Sequence, residues 1–244
     1  MSDEQISDLL QAWIGKKQTQ SDVISVNHMT QMAATFDWPT APYGPGVALP
    51  PLAHLFFCNE NAPGSDLDPD GAIGKGQFMP PIDLPRRMWA GSDIRFSEPL
   101  RIGDTVECET EIVAINKKTG KSGALVFVEL DRRFVSSSGG RMVERRSIVY
   151  RPKAQGQTPW TLGLDKPQLD PERAYGFTPD EIMLFRFSAL TWNAHRIHFD
   201  RSFCQQSEGY PDIIVHGPLL AYLAAQAAQH GSGFDVETQT AKTM

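Results

Sequence analysis

The sequence predicts an α+β fold, and three observations carry the prediction. Four successive β-rich runs crowd residues 86–151, helical patterns precede them at 6–14 and 26–36, and an alanine-rich helical pattern follows at 217–230. Helices kept apart from a run of antiparallel strands pack as a layer against a sheet that wraps them. A chain of 244 residues, 41% hydrophobic and 21% charged, has a globular composition and enough apolar side chains for a core.

Each element has its own local warrant. Ser2 and Gln5 fit a capping box; Ile6, Leu9, Leu10, Trp13 and Ile14 follow at helical spacing, and Gly15 ends the run. "VNHMTQMAATF" (26–36) predicts a second helix, stopped by "DWP". "YGPGVALPP" (43–51) is punctuation, its prolines standing as at a helix start before "LAHLFFC" (52–58). The Gly-, Pro- and Asp-rich stretch 59–81 predicts a long loop, and such loops inside compact domains are often functional.

"RRMWAGSDIRF", "DTVECETEIVAI", "GALVFVELDRRFV" and "RMVERRSIVYR" then read as strands separated by "PLRIGD", "NKKTGKS" and "SSSGG". Alternation is plain in Val106–Cys108–Thr110–Ile112 and in Leu125–Phe127–Glu129. Residues 152–172 hold four prolines and little periodicity, a linker between a unit at 1–151 and a second at 173–244. The second unit is expected to contain a strand "EIMLFRFSAL" (181–190), a polar loop (191–212) and the helix "GPLLAYLAAQAAQH" with Pro218 in its first turn. A short polar tail, "SGFDVETQTAKTM", follows it.

Charge and cysteine usage exclude several classes. A net charge of −6 gives no global field to attract nucleic acid or an anionic membrane, so an anionic ligand must be held by a local patch. No apolar run approaches the roughly 18 residues of a membrane span, and the acidic start "MSDEQISDLL" lacks the basic region of a secretion signal. Cys58, Cys108 and Cys204 are odd in number and contain no CxxC pair, which argues against a disulfide framework or a structural zinc site and for a reducing compartment. The expectation is a soluble, cytoplasmic protein.

"SALTWNAHRIHFD" (188–200) concentrates the chemistry, and "EGYPDIIVHGPL" (208–219) follows it. Together these segments resemble the hydratase part of MaoC-like double hot-dog hydratases, in the branch containing hydroxyacyl-thioester dehydratase type 2 and mesaconyl-C4-CoA hydratase. "LPPLAHLFF", "FMPPIDLPRRMWAGSDIRFSEPLRIGD" and "VERRSIVYR" resemble that branch's N-terminal domain. The resemblance implies a double hot-dog with a sheet-complete N-terminal half and an incomplete C-terminal half. The family continues past the 217–230 helix with further strands, so one flank of that helix is expected to be uncovered unless another chain, such as a second copy in a homo-oligomer, covers it.

The resemblance also assigns roles. "IHFD" places the active histidine at His198 and the trailing acid at Asp200. Asn193 stands five residues before His198, where the wider family has aspartate and this branch has asparagine; an amide can orient water or an imidazole but cannot shuttle a proton. Adding water to an α,β-unsaturated thioester needs a base, an acid for Cα and donors for the enolate-like oxygen. His198 suits the first role near neutral pH. The Gly217 N–H, at the start of the 217–230 helix, suits the last, since Pro218 has no N–H to give.

Arg86 and Arg87 are candidates to hold a substrate carboxylate or a CoA phosphate. His216 is expected as a hydrogen-bonding group at the helix entry, and Phe185, Phe187, Leu190 and Trp192 as core or acyl-tunnel wall. His195, His198 and Asp200 could instead chelate zinc or iron, but spacing marks no further ligand. The implied function is a hydro-lyase on acyl-CoA or acyl-carrier thioesters, favouring a short branched dicarboxylyl-CoA such as mesaconyl-CoA, with no metal, flavin or nicotinamide. A non-catalytic thioester-binding subunit and a hot-dog thioesterase are the alternatives.

Overall fold

The computed structural model describes residues 9–38, 43–120, 123–153, 177–232 and 238–242. Six strands form one antiparallel sheet in the order β1-β3-β4-β5-β2-β6: β1 Lys17–Val23, β2 Arg86–Glu98, β3 Thr105–Gly120, β4 Gly123–Ser136, β5 Arg141–Arg151 and β6 Thr238–Lys242. Three helices lie with it: α1 Val26–Thr35, α2 Glu181–Leu190 and α3 Gly217–Ser232. No helix among the described residues is long and apolar enough to cross a membrane.

The four central strands stand where alternation and turn residues place them, with longer arms: β3 and β4 run to Gly120 and Gly123, taking most of the expected 116–122 loop into the hairpin. Val106, Cys108, Thr110 and Ile112 face the core, each at most 3% exposed. On β4 the buried parity is Val126, Val128 and Leu130, while Leu125, Phe127 and Glu129 are only half-buried. A register shift between Ile112 and Ala114 marks a bulge that bends the β3–β4 pair. All three cysteines are free and buried.

The first helical pattern survives as helical residues 9–11 and a turn closing at Gly15, whose φ of +87° suits glycine and whose N–H donates to the Ile112 carbonyl (2.8 Å). The Ser2–Gln5 capping box lies outside the described residues. α1 has the expected bounds within a residue; Ser25 accepts the His28 N–H (3.1 Å), and Met29, Met32 and Ala33 are buried. Only a single 3-10 turn, Ala53–Phe56, forms where a helix was expected at 52–58. The loop at 59–81 is long as predicted, yet it covers the second apolar cluster with Phe78 and Met79.

Two expectations are corrected. The segment 181–190 is a helix rather than a strand. Its near-continuous apolar run fits either period, and the deciding feature is the cap: Asp180 accepts the Met183 N–H (2.7 Å), and Leu184, Phe187, Ser188 and Leu190 turn inward. Phe187 and Leu190 are core residues as expected, but Phe185 and Trp192 are 62% and 65% exposed. β1, "KQTQSDV", escaped the sequence reading because an edge strand pairs on one side only and this one has almost no apolar face.

One apolar cluster joins residues from both sequence halves: Met29, Met32 and Phe56 with Phe187, Leu219 and Tyr222. Tyr222 Oη donates to Met32 Sδ (3.0 Å), and Gln226 Nε2 donates to the Pro51 carbonyl (2.8 Å). α3 therefore has one face covered by the first half, while Leu220 on its other side is 52% exposed. The tail read as merely polar contains β6, which pairs Thr238–Lys242 with β2. Most of the 152–172 linker lies outside the described residues.

Candidate active site

α2 ends in the turn that carries the site. Thr191 Oγ1 donates to the Phe187 carbonyl (2.7 Å), and Trp192 leaves the helix with a left-handed φ of +52°. Asn193 N–H donates to the Ser188 carbonyl (2.8 Å), and its side-chain oxygen accepts the His195 N–H (3.0 Å). Asn193 thus shapes the backbone ahead of the histidine. Arg196–His198 then make one 3-10 turn.

Two neighbours hold that turn. Arg196 N–H donates to the Asp70 carbonyl (2.8 Å) and its guanidinium to the Pro69 carbonyl (3.1 Å), strapping the loop to 68–71. Glycine is required at 71: φ is +84°, and a Cβ there would stand 1.9 Å from the Ala194 carbonyl oxygen. On the other side Ile214 N–H donates to the Ile197 carbonyl (2.8 Å). Asp200 is occupied structurally, capping Phe203 N–H (2.9 Å) and pairing with Arg196 (2.8 Å).

His198 is 7% exposed, and its Nδ1–H donates to the Ile214 carbonyl (2.7 Å). That bond defines the tautomer: the lone pair is on Nε2, for which no described residue provides a partner. Burial pushes the imidazole down to about 4, against the Ile214 bond, which favours the charged form; His195 adds to the lowering. At neutral pH the ring is therefore neutral and able to accept a proton.

His216, at the α3 entry, stacks on it with ring centroids 3.6 Å apart at 17°. Burial first, then the nearby histidines, push His216 down to about 2. His195 meets the His198 ring edge-on at 5.7 Å, with Asp70 3.6 Å behind it. Gly217 follows His216 directly and opens α3, whose first N–H groups have no partner within their helix.

A small, shallow cleft beside this loop is lined by Asp70, Arg86, Arg87, His195, Glu208 and Tyr210 among others; His198 itself is not in its wall. The two arginines differ sharply in it. Arg86 is 5% exposed, has Nε 2.7 Å from Glu208 Oε2, donates to the Glu208 carbonyl and lies over the Tyr210 ring at 5.1 Å. Its charge is already balanced. Among the described residues no carboxylate comes within ion-pair distance of Arg87, although Glu60 feels its charge.

The structure thus sets Asn193 and His198 in one turn with His216 stacked on the histidine, while Arg87 lines the neighbouring cleft together with His195. It leaves Trp192 largely in solvent. Ser188, Asp70, Glu208 and Tyr210 belong to the surroundings of the site and were missed as such. Asp70 and Gly71 fall in the expected 59–81 loop, but nothing local marks them as partners of residues 194–196.

Comparison with known proteins places the chain. The family model described as "Hydroxyacyl-thioester dehydratase type 2" matches residues 52–242. The mesaconyl-C(4)-CoA hydratase of Chloroflexus aurantiacus is 42% identical over 220 residues, covering 90% of this chain and 78% of the relative. The mitochondrial hydroxyacyl-thioester dehydratase type 2 of Schizosaccharomyces pombe is 30% identical over 196 residues, 71% of this chain and 64% of that protein. A solved MaoC-like dehydratase matches with a TM-score of 0.66 at 14% identity, covering 96% of this chain and 83% of that one, which shows an α+β hot-dog fold. The chain belongs to the hydroxyacyl-thioester dehydratase type 2 family.

Proposed function

We propose that the chain adds water across the double bond of an α,β-unsaturated acyl thioester, and removes it in reverse, with His198 as the proton-transferring group. The observation that carries this reading is the Nδ1–H bond to Ile214, which leaves a neutral, buried imidazole whose Nε2 lone pair has no partner among the described residues. In the hydration direction Nε2 takes a proton from water as its oxygen bonds to Cβ. The π electrons move onto the thioester oxygen, where the Gly217 N–H at the α3 terminus stabilises them. The imidazolium then protonates Cα, and His198 returns to its neutral form.

The Chloroflexus relative bears the name of a thioester with one free carboxylate. Arg87, the cleft arginine with no carboxylate at ion-pair distance among the described residues, supplies the matching charge; Arg86 is committed to Glu208. We therefore favour a short dicarboxylyl monothioester as substrate. Loss of enoyl absorbance is measured with mesaconyl-C4-CoA and with an uncharged enoyl-CoA of similar length. The carboxylated substrate should turn over faster, and Arg87→Ala should lower its kcat/KM about tenfold to a hundredfold, the worth of one charged hydrogen bond, while sparing the uncharged one. Equal losses on both substrates would remove Arg87 from carboxylate recognition. Release of free CoA without loss of the double bond would make the chain a thioesterase.

Gly217→Val supplies a separate check. A branched side chain at the α3 entry crowds the approach of the thioester oxygen, while the helix loses nothing in propensity, since glycine is the poorer helix former of the two. kcat/KM should fall at least roughly tenfold in a variant whose helical circular dichroism is retained. An unchanged value would move the oxyanion site elsewhere.

A further inference from the structure

We propose that His216 is a positioning residue for His198: its pinned, uncharged imidazole is the platform that fixes the direction in which His198 presents Nε2. The proposal rests on the reading of His198 as the proton-transferring group and adds what orients it. A single hydrogen bond, Nδ1–H to the Ile214 carbonyl, fixes one point of the His198 ring and leaves its tilt about Cβ–Cγ to be set by what packs on its face. A flat surface against the ring face removes this freedom, and His216 provides one at 3.6 Å and 17°.

The platform is itself held from three directions. The His216 carbonyl accepts the Leu220 N–H (3.2 Å), tying its backbone to the first turn of α3. Its Nε2 lies 2.9 Å from Ser188 Oγ on α2, and Phe187, also on α2, meets its ring edge-on at 4.8 Å. At 1% exposure it has no room to turn. α2 and α3 therefore converge on the base through one side chain.

The surroundings also keep the proton on the correct ring. His216 Nε2 is engaged with Ser188, and its Nδ1 is sealed from solvent with no partner among the described residues, so a charge there would be uncompensated. The other titratable groups lie on the far side of the pair. His195 faces His198 edge-on, Asp70 stands behind His195, and Arg87 and Glu208 act on His195 across the cleft. A neutral ring against the imidazolium formed during turnover leaves that cation in place without competing for its proton.

The test compares wild type with His216→Phe and His216→Ala by nitrogen-15 NMR titration of the histidines and by steady-state kinetics with an enoyl-CoA. Alanine leaves a ring-sized space beside the Ser188 hydroxyl and the His198 ring, polar enough to admit water. The His198 midpoint should then rise by about one unit or more toward that of an ordinary imidazole. Its ring should no longer hold a single tautomer, and kcat should drop roughly tenfold or more with KM little changed. Phenylalanine keeps the flat, dry surface, so the low midpoint and single tautomer should persist, with a loss of kcat several-fold smaller than in the alanine variant. Ser188→Ala, which removes only a hydroxyl, should move the midpoint in the same direction as His216→Ala by a smaller step, and it stands in if the latter does not fold. An unshifted His198 midpoint and tautomer in folded His216→Ala or Ser188→Ala, or a phenylalanine variant as damaged as the alanine one, overturns the proposal. A wild-type chain inert toward every enoyl thioester overturns the functional reading instead, and the titration still decides this one.

Discussion

His198→Ala should lower kcat by about a hundredfold or more while leaving the fold intact. The side chain touches the rest of the protein through one hydrogen bond and ring contacts, all at a loop, so its removal costs chemistry more than structure. The pH profile gives an independent sign check. The base works only when neutral, and burial holds its folded value at about 4. Activity should therefore persist well below the ordinary imidazole range and be lost as pH falls through about 4. His195→Ala should be milder, because His195 meets His198 only edge-on and is engaged with Asp70. An alanine variant at 198 with full activity, or an acid limb near 6.5 in the wild type, would remove His198 from the role.

The largest effect on stability is expected from Glu144, which lies inside the first half with 0% exposure. Its carboxylate accepts from Ser92 Oγ (2.6 Å), Arg146 Nε (2.8 Å) and Arg132 Nη1 (3.1 Å), and His54 Nε2 stands 3.5 Å away. Arg132 also donates to the Cys58 carbonyl (3.2 Å), so the cluster ties β4 and β5 to the segment before the long loop. Glu144→Ala strands the buried Arg132 guanidinium, with Arg146 at the edge of the core, and should cost about 3–5 kcal/mol, or prevent folding outright. Glu109→Gln, across the exposed pair with Lys17, should cost under about 1 kcal/mol. Comparable denaturation midpoints for the two variants would show that the buried network carries no such weight.

The same network fixes an acid response. Burial raises the Glu144 carboxyl, but Arg146, His54 and Arg132 together hold it well below the usual carboxylate range. Its stabilisation is present above about 4.5 and is lost as pH falls further. His54 is lowered chiefly by burial, so the unfolded chain takes up its proton first. Stability should begin to decline as pH drops below about 6.5 and fall more steeply below about 4.5. The melting temperature measured between pH 7 and 4 shows the two stages.

The central sheet was legible because strands half-buried on one face advertise themselves through alternation and turn residues. α1 was legible as a helical pattern stopped by "DWP", and α3 through alanine content and Pro218 in its first turn. β1 was not, since a polar edge strand has no apolar face to read. α2 was misread because ten residues that are nearly all apolar satisfy both periods, and only the Asp180 cap distinguishes them.

The sequence by itself determined the α+β class and the four central strands, because these depend on local periodicity and turn residues, while its resemblance to the hydratase family singled out His198 and Gly217 as candidates. Only the tertiary structure decided which arginine is held by a carboxylate, since Arg86 meets Glu208 across 122 residues and no local pattern predicts that pairing. It alone revealed that His216 stacks on His198, that Asn193 caps its own loop, and that α3 shares its core with the first half. Those are contacts between surfaces distant in the chain, chosen by shape, burial and charge compensation once the elements pack.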